Sequence, residues 1–321
     1  NKKGSAAFKP GEWNTYRIEA IGNHIRTWIN GVMCANLVDN ETASGFIALQ
    51  VHGVGDDPEK IGKKVRWRNI RIKTFDLEAS RLAPDPDVPE INFVTNTLTE
   101  TEKRLGWRLL LDGQTTYFWR GAKLDHFPEG GWEIGDGILN VLESGGGESE
   151  NGGDIVTIDK FSSFELELEF MLTEGANSGI KYFVDPDLNK GTGSAIGLEY
   201  QLLDDGVHPD AKEGVGGNRT LASLYDLIPA VNLSEGNNNI RFYGIGKWNK
   251  ARIVVKGNHI EHWLNNIKVV EYERSTQIYR ALVAKSKYKV WPDFGESPSG
   301  HILLQDHGNT VRFRSIKIRE F

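Results

Sequence analysis

Residues 164–172 read FELELEFML, and the fold class follows from that stretch. Phe164, Leu166, Leu168, Phe170 and Leu172 fall on one side of an extended chain, and Glu165, Glu167 and Glu169 on the other. The same period of two continues outward. WEIGDGILNVL (132–142) reads as a hairpin turning at Asp136–Gly137, a dipeptide that tolerates the positive φ a tight turn requires. NSGIKYFV (177–184), AIGLEYQLL (195–203), KARIVVKGNHIEHWLNNIKVVEYE (250–273), GHILLQDHG (300–308) and VRFRSIKIREF (311–321) extend the series, with turns at Gly257–Asn258 and Asn265–Asn266. TQIYRALVAKS (276–286) is the one predicted helix of this region, with Ile278, Ala281 and Leu282 expected inward. Many strands and one helix predict an all-β fold, an antiparallel two-sheet jelly-roll sandwich.

Composition agrees. The chain has 321 residues with 36 Gly, 9 Trp, 9 Tyr and 14 Phe, which suits short strands, tight turns and aromatic platforms. At about twice the usual domain length of roughly 150 residues, it can bury a core without a metal or disulfide staple. Its one cysteine, Cys34, has no internal partner to bridge to and reads as a small buried hydrophobe. A net charge of −6 argues against a nucleic-acid surface. No apolar run approaches the roughly 18 residues of a membrane helix.

The chain also repeats itself. GEWNTYRIEAIGNHIRTWINGVMC (11–34) matches GKWNKARIVVKGNHIEHWLNNIKV (246–269) at 11 of 24 positions; SGFIALQVHG (44–53) matches SGHILLQDHG (299–308) at 7 of 10; VRWRNIRIK (65–73) matches VRFRSIKIR (311–319) at 5 of 9. These blocks end a long run of strands in the second copy, whereas only ten residues precede them in the first. Residues 1–76 are therefore read as the C-terminal half of one domain, incomplete as it stands, 77–104 as a linker and 105–321 as a complete domain. Within the linker, Thr99 and Glu102 have capping-box spacing for a short helix.

Strand parity then sorts polar residues by face. Ile196, Leu198, Tyr200 and Leu202 point one way, so Glu199 and Gln201 point the other. Ile302 and Leu304 are expected inward, leaving Gln305 and His307 outward; the first copy repeats this with Ile47 and Leu49 inward and Gln50 and His52 outward. Lys181 is the polar residue between Ile180 and Tyr182. His259, Glu261 and Trp263 share a face opposite Ile260, His262 and Leu264. DDGVHPD (204–210) gathers Asp204, Asp205, His208 and Asp210, oxygen and imidazole donors that could hold a divalent ion such as Ca²⁺, although an Asx-type turn closing the strand is the favoured reading.

GLEYQLLDDGVHPDAKEGVGGNRTLASLYDLIPA (197–230), followed by KWNKARIVVKGNHIEHWLN and by GHILLQDHG and VRFRSIKIRE, resembles the 3-keto-disaccharide hydrolase domain family; NGGDIVT (151–157) and ANSGIKYFV (176–184) fit it too. The resemblance covers 105–321 in full and 11–75 as a truncated copy. It implies a concanavalin A-like lectin and glucanase fold, export to the periplasm or cell surface of a bacterium, and an oligosaccharide or glycoside as partner; the sequence itself carries no glycine-rich nucleotide loop in a βα context, so no organic cofactor is expected. It also implies chemistry on a glycoside already oxidised to a ketone at C3. The ketone acidifies C2–H, a base removes that proton, the C1 substituent leaves, and water adds. Such chemistry needs a base, a group that polarises the ketone and a proton donor. Glu199, His307 and Lys181 are the catalytic candidates. Gln201, Gln305, Arg219, Tyr225, Trp263 and His259 are the binding candidates, with Arg219 suited either to a sugar oxygen or to bracing the 204–210 loop. Two other readings stand beside this one: a glucanase using Glu165, Glu167 and Glu169, and a lectin-like module that binds sugar without turnover.

Overall fold

Strand Phe164–Leu172 forms as its alternation requires: its five apolar side chains are buried and its glutamates face outward. In the computed structural model, which describes residues 2–51, 53, 55–145, 147–231 and 242–321, this strand sits centrally in an eight-stranded sheet. It pairs antiparallel with Asn249–Lys256 on one side and Val311–Glu320 on the other. A second sheet runs in the order Ile196–Leu203, Asn177–Asp185, His301–Leu304, Ile155–Thr157 and Trp119–Gly121, again antiparallel. The inward faces of the two sheets share one apolar core, in which Leu166, Leu168 and Phe170 meet Ile180, Leu198, Leu202, Ile302 and Leu304. Each such buried side chain contributes roughly 1.5–3 kcal/mol. The outward face of the five-stranded sheet is where Lys181, Glu199 and Gln201 alternate with that core.

The turns form where the sequence places them. Asp136 and Gly137 take φ of 52° and 77°, and Asn265 and Asn266 take 47° and 67°. Thr99 and Glu102 close the predicted capping box on helix Glu100–Arg104. Helix Gln277–Lys285 forms too, with Leu282 packed against the core as expected, but Ile278 is 76% exposed and Ala281 is exposed, while Tyr279 is buried. The reason is polar as well as apolar. The Tyr279 hydroxyl donates to the Phe294 carbonyl at 2.6 Å, and its ring stacks on Tyr272.

The chain separates into two compact units, Asn1–Val94 and Thr95–Phe321. The stretch read as a linker divides between them. Residues 77–94 pack with the first, where Glu19 accepts from the Leu82 amide and Val88 joins Trp28 and Met33. Asn96 and Glu102 bond Ser315 and Lys317 of the second. In the first unit the repeated block 11–34 gives strands Tyr16–Ile21 and His24–Ile29, continued by Val32–Val38. The other two blocks differ from expectation. The described residues of 44–53 and all of 65–73 are not strands, and Ile47 and Leu49 are exposed, at 76% and 49%. Their counterparts Ile302 and Leu304 are covered by strands from residues 164–203, for which the described residues of the first unit show no equivalent. Gln50 is exposed as well; His52 lies outside the described residues.

His262 joins the two sheets of the second unit. Its imidazole is fully buried, donates from Nδ1 to the Ala222 carbonyl at 3.1 Å and accepts at Nε2 from the Tyr182 hydroxyl at 2.8 Å. Burial pushes its pKa down from 6.5 to about 4, with the Ala222 carbonyl opposing. Between those values the unfolded chain takes up a proton that the folded chain refuses. The stability His262 confers is therefore complete above pH 6.5 and falls as pH drops toward 4, by roughly 3 kcal/mol in all. Urea unfolding of wild type and His262→Gln between pH 8 and pH 4 should show a flatter profile for the variant. Parallel profiles would refute the assignment.

Candidate active site

Lys181 and Glu199 are direct cross-strand partners on the outward face of the five-stranded sheet, and Gly179 and Gln201 form the next outward pair. Gln305 flanks Gly179 from the other side, its amide donating to the Gly179 carbonyl at 3.0 Å. Three segments of the chain thus meet around one glycine. Gly179 leaves room there: a Cβ on it would lie 2.2 Å from Glu199 Oε1.

Glu199 and Lys181 are only 4% and 5% exposed. The Lys181 ammonium lies 3.8 Å from Glu199 Oε2 and donates to the Ser194 hydroxyl. Ser194 in turn donates to Asp154, a buried carboxylate that also accepts from the Ser149 hydroxyl and the amides of Ala195 and Asp306. This chain fixes the lysine's direction. Tyr288 O–H reaches Glu199 Oε2 at 3.4 Å. Burial pushes the Glu199 carboxyl above its ordinary pKa, Glu148 and Asp154 add to that shift, and the positive charges of Lys181 and Lys287 oppose it. At the rim, Gln305 Nε2 donates to Glu148 at 3.1 Å.

A loop lies along the free edge of strand Ile196–Leu203. The Ala222 amide donates to the Gln201 carbonyl and the Tyr225 amide to the Glu199 carbonyl. Ala222 and Asp226 hold left-handed φ of 63° and 59°, backbone strain stored beside the site. Tyr225 donates its hydroxyl to Asp210 at 2.8 Å. Arg219 binds Asp226, Asp210 and Glu213 at 2.8–3.0 Å, so of its two expected roles the structure shows the brace. Asp226 also accepts the Lys287 amide at 2.7 Å, which sets Lys287 beside Tyr225.

His307 is half-buried and makes no hydrogen bond or ion pair with Glu199 or Lys181 among the described residues. Its ring meets His208 edge-on at 6.3 Å, and its Nδ1 is buried without a partner. The four residues of the 204–210 loop do not converge on one point. Asp204 accepts from the Gly175 and Gly206 amides, Asp205 from Leu221, and His208 Nδ1 from the Asp210 amide, the turn-closing alternative. The only cluster of metal-donor side chains among the described residues is His259, Glu261 and Glu271, whose donor atoms lie within 4.8 Å of one another. Lys268 and Glu273 share that surface network.

Two binding candidates belong elsewhere. His259 and Trp263 alternate with Ile260, His262 and Leu264 of the core, so they face outward from the eight-stranded sheet, on the opposite side of the sandwich from Glu199. There Trp263 is covered by Arg252 at 4.0 Å and donates to Glu261. The glutamate triplet occupies that same outer face. Glu165 pairs with Arg319 and Arg252, Glu167 with Lys317 and Lys250, and Glu169 with Arg314. Lys317 and Lys250 hold the Glu167 carboxyl below its ordinary pKa against the opposing effect of burial. A glycosidase acid needs the reverse.

A buried carboxylate and lysine thus lie on one sheet face of a jelly-roll sandwich, and comparison with known proteins identifies the chain as a carbohydrate-active hydrolase. The chain belongs to the 3-keto-alpha-glucoside-1,2-lyase-like domain family, whose pattern matches residues 1–73 and 106–319. It is 38% identical over 234 residues to a 3-keto-disaccharide hydrolase of Bacteroides thetaiotaomicron, covering 67% of this chain and 78% of that protein. A solved structure from Parabacteroides distasonis, assigned as a glycosyl hydrolase, superposes with a TM-score of 0.59 at 27% identity, over 71% of this chain and all of that one.

Sequence reasoning missed Lys287, Tyr288, Asp154, Ser194 and Glu148. None lies in an alternating stretch, so parity offered no signal for them.

Proposed function

We propose that the second unit hydrolyses 3-keto-glycosides, with Glu199 removing the C2 proton, Lys181 donating to the C3 ketone oxygen, and water adding after the C1 substituent has left. The supporting observation is the Lys181–Glu199 pair itself, a carboxylate raised in pKa by burial and set 3.8 Å from an ammonium. A base works best when its pKa lies near the working pH, and burial moves Glu199 that way while the two lysines keep it ionisable. Two of the Lys181 donors are directed at Ser194 and the Ala195 carbonyl, leaving one for a ketone oxygen that gains charge as C2 loses its proton. We assign the binding of sugar hydroxyls to Gln201 and Gln305, on either side of Gly179.

Incubation of the chain with a 3-keto-disaccharide and, separately, with its unoxidised parent tests this reading. Cleavage of the keto sugar alone is expected. Cleavage of the parent would point to the Glu165, Glu167 and Glu169 triplet, and binding without turnover to a lectin; either result overturns the proposal.

A further inference from the structure

Lys287 follows helix Gln277–Lys285 and opens the 3₁₀ turn Lys287–Val290. Lys287 is an exposed residue, and its ammonium lies 4.2 Å from the centre of the Tyr225 ring and 5.3 Å from that of Tyr288. Both rings adjoin Glu199. The Tyr288 hydroxyl bonds its carboxylate, and the Tyr225 amide bonds its carbonyl. Among the described residues the ammonium makes no hydrogen bond or ion pair. The site thus has two lysines in different states. Lys181 is tied down by Ser194 and the Ala195 carbonyl, whereas Lys287 lies over the Tyr225 and Tyr288 rings with its donors unspent.

We propose that Lys287 is the catalytic acid that protonates the departing glycosidic oxygen, an inference that rests on the reading of the site as a 3-keto-glycoside hydrolase. In the step, the C2–H electron pair becomes the C1=C2 bond, and the proton goes to the Glu199 carboxylate. The C1–O pair departs with the oxygen, which takes a proton from the Lys287 ammonium. Water then adds across C1=C2, its hydroxyl to C1 and its hydrogen to C2. The division of labour follows from position. A bound lysine is suited to holding a fixed oxygen, and one with free donors to meeting a group that must leave. The chemistry also suits the amine. Desolvation of the ammonium pushes the Lys287 pKa below its ordinary value, Lys181 and Arg219 push the same way, and Glu199 and Glu148 oppose them. A lowered amine pKa makes a stronger acid.

The test exploits the leaving group. A 3-keto-glucoside of nitrophenol leaves without needing a proton, whereas a 3-keto-disaccharide leaves as an alkoxide and does need one. Lys287→Met is expected to lose about 100-fold or more in kcat on the disaccharide and only a few fold on the nitrophenyl glucoside, within the usual range for one proton donor. The alkaline limb of the disaccharide pH profile, which reports Lys287 among Lys181, Arg219, Glu199, Glu148, Tyr225 and Tyr288, should vanish with it. Lys287→Gln serves as a second variant if the first misfolds. Equal losses on both substrates would mean that Lys287 only packs the tyrosines, and no loss would mean that it is a bystander; either overturns the inference. If wild type turns over neither keto substrate, the broader reading fails instead, and the two failures are told apart.

Discussion

Glu199→Gln should lower turnover of a 3-keto-disaccharide by about 1000-fold while leaving the fold intact, the middle of the range for removing a positioned base. The amide matches the carboxylate in shape, so the sheet register, the room above Gly179 and the Tyr288 contact can persist. What disappears is the lone pair able to take the C2 proton. The pH profile offers an independent reading. Burial raises the Glu199 pKa above 4.5, so activity should fall as pH drops through that raised value, and the acidic limb should be absent from the residual activity of the variant. A Glu199→Gln protein that matched wild type in its thermal melt and kept near-full turnover would remove Glu199 as the base. If His307→Ala also kept full turnover, neither candidate base would stand. The structure already separates these two residues: Glu199 sits against Lys181, and His307 against His208.

What the sequence revealed of this site, and what it concealed, has a physical pattern. Alternation reports the face a side chain takes within its own strand, so Glu199, Gln201, Lys181 and Gln305 were assigned outward correctly. It does not report which sheet the strand joins. His259 and Trp263 were outward too, but from the other sheet, because strand His259–Leu264 pairs with Asn249–Lys256 and not with the strands that carry Lys181 and Glu199. Nor does alternation guarantee an inside. Ile47 and Leu49 repeat the pattern of Ile302 and Leu304 yet are exposed, since burial also requires an opposing sheet. The helix shows a third limit. Leu282 packs on the core as the pattern reads, but the helix's fully buried residue is Tyr279, held by a carbonyl at Phe294 that a hydrophobic pattern cannot anticipate. Asp154, Ser194 and Lys287 reach the site from turns and loops, where position is decided by tertiary hydrogen bonds alone. The fold was therefore legible from local chemistry, and the site only as far as strand faces reach.

Gly179→Ala should separate the fold from the chemistry most sharply. Gly179 has no positive φ to protect, so alanine is acceptable to the backbone, and in a strand it is the better residue by up to about 1 kcal/mol. The obstacle is a single neighbour. The new methyl would lie 2.2 Å from Glu199 Oε1, 2.9 Å from its Cδ and 3.1 Å from its Cγ. These atoms end a flexible side chain, so the protein can accommodate the methyl by turning the carboxylate aside, and the thermal midpoint should change little. Catalysis cannot accommodate it so easily. Displacing a reacting group by about 1 Å can cost on the order of 100-fold in rate, and here the displaced group is the base itself, pushed from its place beside Lys181 and Tyr288. A stable Gly179→Ala protein with turnover reduced by about 100-fold or more is the expected outcome. Because alanine neither gains nor loses a titratable group, that loss would have to come from geometry, so a stable variant with undiminished turnover would show that the carboxylate above Gly179 does not act on substrate.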